Sequence, residues 1–389
     1  MPPSTSILVV GAGIAGLTAA LSFAQAGFAV DIVERSERLE AVGAGLQLSP
    51  NALRVLARLG LDRERLNGVA ATTVTLRSGR SGRTIAEIPV VSADGTAYLS
   101  LYRADLQSAL LAAVAADPLI TLTLGERCTA LAQSADGTTL SFTRTDGSVA
   151  ERTATIVIAA DGVHSALCAA LGLPAAVPSG DVAWRMTIDA AAQASSPGIQ
   201  AWLGPRRHAV AYPVQAGRTT NLVLIGPDSD AAAGMAESAT KTALMQRFRR
   251  WDPRLRGLIE AAGPATPWPL STVDPDRSAP GMDGVIVIGD AAHAMLPYAA
   301  QGAAMAIEDG WTAAWAVTRA STPQEAARHY ADVRTARLKR VRQRVAFHRR
   351  VYHLPALPAA ARDLTLRLRS AESVARDLGW LYDWTPPER

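Results

Sequence analysis

Gly11-Ala12-Gly13-Ile14-Ala15-Gly16 stands between the short apolar run Ile7-Leu8-Val9-Val10 and a helical pattern over Leu17 to Ala26 that closes at Gly27. No other stretch narrows the choice of folds so far. A second apolar run, Ala29-Val30-Asp31-Ile32-Val33, ends at Glu34. Strand, tight turn, helix and strand make a βαβ unit, with an acidic residue at the roughly 20-residue spacing that ribose recognition needs. Gly11 permits the turn, Gly13 lets backbone approach a pyrophosphate with no Cβ in the way, and Gly16 lets helix and strand pack closely. The helix N-terminus, with its unpaired N–H groups and about half a positive charge, then faces the phosphates. Glu34 accepts from ribose hydroxyls and disfavours a 2′-phosphate. The pattern predicts dinucleotide binding and leaves NAD and FAD equally open.

Two further segments bear on that choice. Thr155 to Ala160 reads as a buried strand that places Asp161-Gly162 at its carboxyl end, where open α/β sheets put ligands. Ser165 is placed to cap a following helix, so an ordinary strand, turn and capped helix is the plain alternative. Val285-Ile286-Val287-Ile288 is a third such strand, followed by Gly289-Asp290. Downstream, Pro297 interrupts the helical pattern and Gly302 permits close backbone approach before the helix resumes over Ala303 to Trp315. A helix end there suits the negative charge that reduced flavin carries at N1–C2=O, a stabilisation of about 0.3–1 kcal/mol.

These three segments together resemble the class A, single-component FAD-dependent aromatic hydroxylases. The run from Gly289-Asp290-Ala291-Ala292-His293 through Pro297, Gln301-Gly302-Ala303 and Glu308-Asp309 is similar to the salicylate and 3-hydroxybenzoate hydroxylase branch. The resemblance implies an α/β fold in which a Rossmann-like FAD-binding domain of glutathione-reductase type is interleaved with an antiparallel-sheet substrate domain, followed by a C-terminal helical segment. It implies FAD as cofactor, NADH or NADPH as co-substrate, and hydroxylation of a small phenolic or N-heteroaromatic carboxylate by O2 through a C4a-hydroperoxyflavin. By the same resemblance Asp290 holds the ribitol chain, Gly302 and Ala303 offer backbone N–H to the isoalloxazine, and Pro297 lies at the flavin face. Arg103 matches the family arginine at the FAD, a structural ion pair being its alternative, and Arg35, Gln47 and Gln107 are further cofactor candidates. Asp161 serves FAD and the nicotinamide donor together. No second glycine fingerprint is present, which fits a donor that docks transiently.

His208-Ala209-Val210-Ala211-Tyr212-Pro213 alternates as a strand, so His208 and Tyr212 share a face. A satisfied core histidine beside an interface tyrosine is the plain reading; related hydroxylases carry His-x-x-x-Tyr-Pro over the flavin and use both side chains at the substrate phenol. The expectation is that His208 takes the phenol proton, directly or through Tyr212, and that Gln301 orients the ring. Arg185 is either a bidentate partner for a substrate carboxylate or the flavin region, or a structural pair. The Trp-x-Trp-x-Ile motif of flavin halogenases and a suitably placed lysine are missing. A dehydrogenase or reductase on this scaffold, or a non-catalytic FAD-binding redox sensor, remains the rival reading.

With 389 residues, 49 % of them hydrophobic, the chain buries a large core unaided. The nucleotide-binding segments are expected at 1–72, 98–180 and 276–330, a substrate-binding sheet at 73–97 and 181–275, and helices over 331–389. Lys241 to Ala262 has helical spacing and is expected behind the sheet, while Pro264, Pro267, Pro269, Pro275 and Pro280 read as a linker. Cys128 and Cys168 have neither disulfide nor metal-ligand spacing, so no metal is expected and a cytoplasmic location is. Nothing at the N-terminus reads as a signal peptide, and Pro297, Gln301, Glu308 and Asp309 break the alanine-rich 291–318 stretch, so no membrane partner is expected. The net charge is only +4. The arginines from Arg334 to Arg350 alternate with Val341, Val345 and Tyr352 at helical spacing, which predicts a solvated or salt-bridged helix face rather than a nucleic-acid site. A monomer or homodimer is expected.

Overall fold

The computed structural model describes residues 1–2, 4–39, 45–134, 137–189, 198–230, 237–278 and 284–388. Its centre is a five-stranded sheet in the order Val285–Val287, Ile156–Ala159, Ile7–Val10, Val30–Glu34, Ile120–Leu124, parallel throughout. The chain leaves Ile7–Val10 in one direction and returns on its other side, so the crevice of this open sheet falls at the carboxyl ends of Ile7–Val10 and Ile156–Ala159. Gly11 and Asp161 stand there.

Both faces of the sheet are covered, which explains why its strands read as unbroken apolar runs. Ile7 and Val9 pack into the core shared with helices Ile14–Gln25 and Gly302–Arg319. Leu8 and Val10 point the other way, against Leu140 and Phe142. Those belong to an antiparallel three-stranded sheet, Glu126–Ser134, Gly137–Arg144 and Val149–Ala154.

The second layer is a seven-stranded sheet in the order Thr266–Thr272, Val177–Asp189, Thr219–Pro227, Arg207–Val214, Ile199–Gly204, Thr73–Ser78, Thr84–Pro89. It departs from the purely antiparallel expectation at one pair, Ile199–Gly204 with Thr73–Ser78, which runs parallel. Those two segments are far apart in sequence and meet through a long crossover, the connection a parallel pair requires. A second correction concerns Thr266–Thr272: Pro267 and Pro269 lie in an edge strand paired with Val177–Asp189 and not in a linker. An edge tolerates proline because one row of ladder bonds is absent there. Pro280 lies outside the described residues.

On strand Arg207–Val214 the period of two separates the faces. Ala209 and Ala211 pack with Leu244, Leu255 and Ile259 of helices Glu237–Arg247 and Pro253–Ala261 and with Phe248 in the turn between them, and these helices do lie behind the sheet. His208, Val210 and Tyr212 face the nucleotide side.

From residue 323 the chain is helical: Pro323–Tyr352, Ala356–Leu368 and Ala371–Tyr382. Helix Pro323–Tyr352 begins with proline at its first turn and a capping box, in which the Thr322 hydroxyl accepts from the Glu325 N–H at 3.2 Å and the Glu325 carboxylate accepts from Ser321 N–H at 2.7 Å. Its arginine-rich face is partly buried. Arg334 is 1 % exposed and donates to Glu308 and, at 2.7 Å, to Asp309, while Arg340 lies 4.0 Å above the Trp380 ring. Among the described residues no helix is long and apolar enough to cross a membrane.

Candidate active site

The glycine loop shows why each glycine is where it is. Gly11 has φ +105°, and a Cβ there would stand 2.4 Å from the Ala160 carbonyl oxygen; one at Gly16 would stand 1.9 Å from that of Gly11. Both clashes are with backbone, so neither relaxes cheaply. Gly13 is different: its φ is −79° and a Cβ would meet nothing within 4 Å. The space before Gly13 is an open cradle.

That space belongs to a cavity of about 360 Å³ lined by Gly13, Ile14, Ala15, Gln47, Arg103, Arg185, Tyr212, Asp290, Pro297, Gly302 and Ala303, among others. Asp290 is exposed and reaches it from the turn after Val285–Val287. Gly302 opens helix Gly302–Arg319, whose first N–H groups have no partner within the helix. Glu34 and Gln107 lie outside the cavity and hold the loop itself: Ala12 N–H donates to the Glu34 carboxylate at 2.8 Å, and the Gln107 amide donates to the Ala12 carbonyl at 3.3 Å. Arg35 is exposed. Asp161 accepts from Leu167 N–H at 3.2 Å through one oxygen, and its other oxygen is buried without a partner. Ser165 caps the short helix Ala166–Ala170 through Cys168 N–H, as its position predicts.

A dinucleotide cofactor fits this surface. Gly13 and Gly302 leave room where a Cβ would intrude, and of the residues lining the cavity Gln47 and Arg185 each hold a buried polar atom, Nε2 and Nε, with no partner, a state that a bound ligand would relieve. Gly13→Ala should therefore separate binding from folding. The apoprotein is expected to keep its unfolding temperature within about 2 °C, and FAD affinity, read by flavin fluorescence titration, to fall at least about 100-fold. A variant that binds FAD normally would show that the cradle lies elsewhere.

A second cavity, about 450 Å³ and mostly apolar, adjoins the first. Gln47, His208, Val210, Pro297 and Ala300 line both, so these residues form the junction. Ala300 holds a left-handed backbone (φ 51°, ψ 35°), which costs a non-glycine residue about 1–2 kcal/mol; such strain gathers at functional sites. His208 is 1 % exposed, with Nδ1 3.0 Å from Nε2 of His353. Its ring lies 5.0 Å from Tyr298 and 5.5 Å from Tyr352. Burial, then the neighbouring His353 and His348, pushes His208 well below the usual histidine range, so it is neutral at pH 7. Burial likewise lowers His348 and His353 to about 4. Tyr212 is pushed up by burial, against the pull of Arg185, and stays a protonated donor.

Gln301 departs from its expected substrate contact, and Arg185 stands beside the flavin region, one of the alternatives expected for it. Gln301 lines neither cavity: it is buried, with its amide donating to the Ser49 hydroxyl at 3.1 Å and to the Tyr98 hydroxyl at 3.2 Å. It precedes the helix N-terminus, and the backbone there turns its side chain into the core. Arg185 lines the first cavity beside Tyr212 and Arg103, stacked 5.2 Å from Trp268, and does not line the apolar one. His348, His353 and Arg344 were not among the residues expected at the site. Their signal was present as the i, i+4 spacing of Arg344, His348 and Tyr352, but nothing local showed which neighbour that helix face would meet.

A Rossmann crevice that opens onto an apolar cavity over a histidine-bearing strand defines a flavoprotein of the class A hydroxylase architecture. The chain belongs to the FAD binding domain family, which it matches over residues 4–346. It is 36 % identical to the 3-amino-4-hydroxybenzoate 2-monooxygenase of Streptomyces cremeus, covering 97 % of this chain and 95 % of that one. It is 34 % identical to the 6-hydroxynicotinate 3-monooxygenase of Bordetella bronchiseptica, over 87 % and 90 %. Among solved structures, a variant of Klebsiella pneumoniae HpxO complexed with FAD superposes with a TM-score of 0.82 at 25 % identity, over 96 % and 97 %.

Proposed function

We propose that this protein is an NAD(P)H- and O2-dependent hydroxylase of a small hydroxylated aromatic or N-heteroaromatic carboxylate, with FAD in the glycine-lined cavity and the aromatic ring in the apolar one. The carrying observation is the junction: the two cavities share His208 and Pro297, so a ring in one meets a cofactor edge in the other. Gly13, Asp290, Gly302, Ala303, Arg103 and Gln47 would hold FAD, Glu34 fixing the loop, and the bound flavin supplies the hydride acceptor and the oxygen chemistry. Every other task falls to the chain.

An electron-rich ring reacts best as phenolate. A phenol with pKa about 10 lies about 4 kcal/mol short of that state at pH 7. His208, neutral, accepts the phenolic proton at Nε2 in the tautomer whose Nδ1–H donates to Nε2 of His353. The phenolate left beside it is the counter-charge that stabilises the imidazolium and offsets its burial. Tyr212, kept protonated, donates at the flavin side of the junction. Apolar walls exclude water from the reacting ring. Segments 1–72, 98–180 and 276–330 then serve the cofactor, and the intervening sheet the substrate. Two buried, unpaired cysteines support a reducing, cytoplasmic setting.

The test is anaerobic reduction of the holoprotein by NADH and by NADPH across a panel of phenolic acids, followed by flavin bleaching. At least one acid should accelerate reduction with one of the two donors. A panel that leaves the rate unchanged with both donors would contradict the proposal.

A further inference from the structure

Three arginines line the apolar cavity, and they differ in one respect. Arg362 is paired with Asp363 at 2.6 Å and donates to the Val351 carbonyl. Arg369 is paired with Asp377 at 2.7 Å, which occupies the acidic residue of that wall. Arg344 makes no hydrogen bond or ion pair with any described residue; its Nε is buried without a partner, and its guanidinium stands over the Phe347 ring at 5.4 Å. Arg344 is only partly buried, so its terminal nitrogens remain open to the cavity while Nε is the one nitrogen withdrawn from water without a partner, which leaves a half-desolvated cation free to take an anion.

Its position fits a particular anion. Arg344, His348 and Tyr352 stand at successive i, i+4 positions, so they share one face of helix Pro323–Tyr352. The His348 and Tyr352 rings are stacked, 5.2 Å apart at 10°, and the Tyr352 ring meets that of His208 at 5.5 Å. The cavity wall thus runs from a cation, along flat rings, to a neutral proton acceptor. We infer that Arg344 binds the carboxylate of the substrate, with the ring lying along His348 and Tyr352 and the hydroxyl at His208. The inference rests on the apolar cavity being the substrate site. It makes Arg344 the residue that sets which end of the ring faces His208, and therefore which carbon meets the flavin.

The test is spectral titration of the FAD-loaded protein with salicylate, 3-hydroxybenzoate and 6-hydroxynicotinate, each beside its primary amide. In Arg344→Gln the dissociation constant of the best-bound acid should rise roughly 10- to 100-fold, the size of a lost charge-assisted hydrogen bond, while that of its amide moves less than about twofold. Arg344→Lys should recover part of the acid's affinity and guards against a variant that folds poorly. Equal losses for acid and amide, or no loss for the acid, would overturn the role of Arg344 and leave the cavity assignment standing. Failure of every acid and amide to perturb the wild-type flavin spectrum would overturn both.

Discussion

His208→Ala lowers the rate of substrate hydroxylation by about 10²- to 10⁴-fold, the range expected for removing a positioned general base, and leaves FAD bound. The second half of that expectation rests on position: His208 lines only the junction end of the cofactor cavity, its ring partners are His353, Tyr298 and Tyr352, and the groups proposed to hold FAD are other residues. Because the base is held neutral, the wild-type rate has no reason to fall between pH 8 and 6.5. A histidine lowered by burial protonates only below its ordinary value, so loss of the base appears on the acid side, displaced downward. His208→Gln keeps a polar side chain of similar reach without the base, and it should behave as the alanine variant does. Product yield per NAD(P)H consumed is the measurement. An unchanged coupled rate removes His208 from the mechanism.

The second large effect is structural and lies behind the site. Asp309 is fully buried and accepts from Gly289 N–H at 2.8 Å, from His293 Nε2 at 2.5 Å and from Arg334 Nε at 2.7 Å. Burial alone would raise its pKa, but His293 and Arg334 outweigh it and hold the carboxyl well below the usual range. Glu308 beside it binds Arg334, Arg337 and Asn51. This cluster ties the Gly289-Asp290 turn to two helices. Asp309→Ala leaves a buried guanidinium half-compensated, an imidazole without its partner and an orphan N–H, and should cost about 3–5 kcal/mol. In a chain of this size that is about 4–6 °C of unfolding temperature. Because the turn carries Asp290, FAD retention should fall too. Asp309→Ala with Arg334→Met should be less damaging than Asp309→Ala alone, since it removes the stranded charge. The linkage sign is that of a depressed carboxylate: the stabilisation is complete above about pH 4 and is lost as pH falls toward the folded pKa. A loss below about 1 kcal/mol in thermal unfolding would contradict this role for the cluster.

What the sequence made legible is what depends on local backbone demand. Gly11 and Gly16 are dictated by carbonyl oxygens a few residues away in space, and Gly13 by empty volume, so spacing alone revealed the cofactor cradle. Alternation on Arg207–Val214 likewise put His208 and Tyr212 on one face before any partner was known. The rest depends on tertiary placement. His353 meets His208 across 145 residues, and Arg344 reaches the cavity only because its helix crosses over the junction. Arg334 read as one charge on a solvated or salt-bridged face; the structure makes it salt-bridged, and its burial with Glu308 and Asp309 is what the spacing did not show. Gln301 shows the opposite failure. Its neighbours face the cavity, but its own side chain is spent on Ser49 and Tyr98.

The most direct test of the central claim is oxygen incorporation. Holoenzyme supplied with NAD(P)H, ¹⁸O2 and the aromatic carboxylate that best accelerates flavin reduction should release a product carrying one ¹⁸O atom on the ring. An oxidised product without ¹⁸O would identify a dehydrogenase on the same scaffold and contradict the assignment as a hydroxylase.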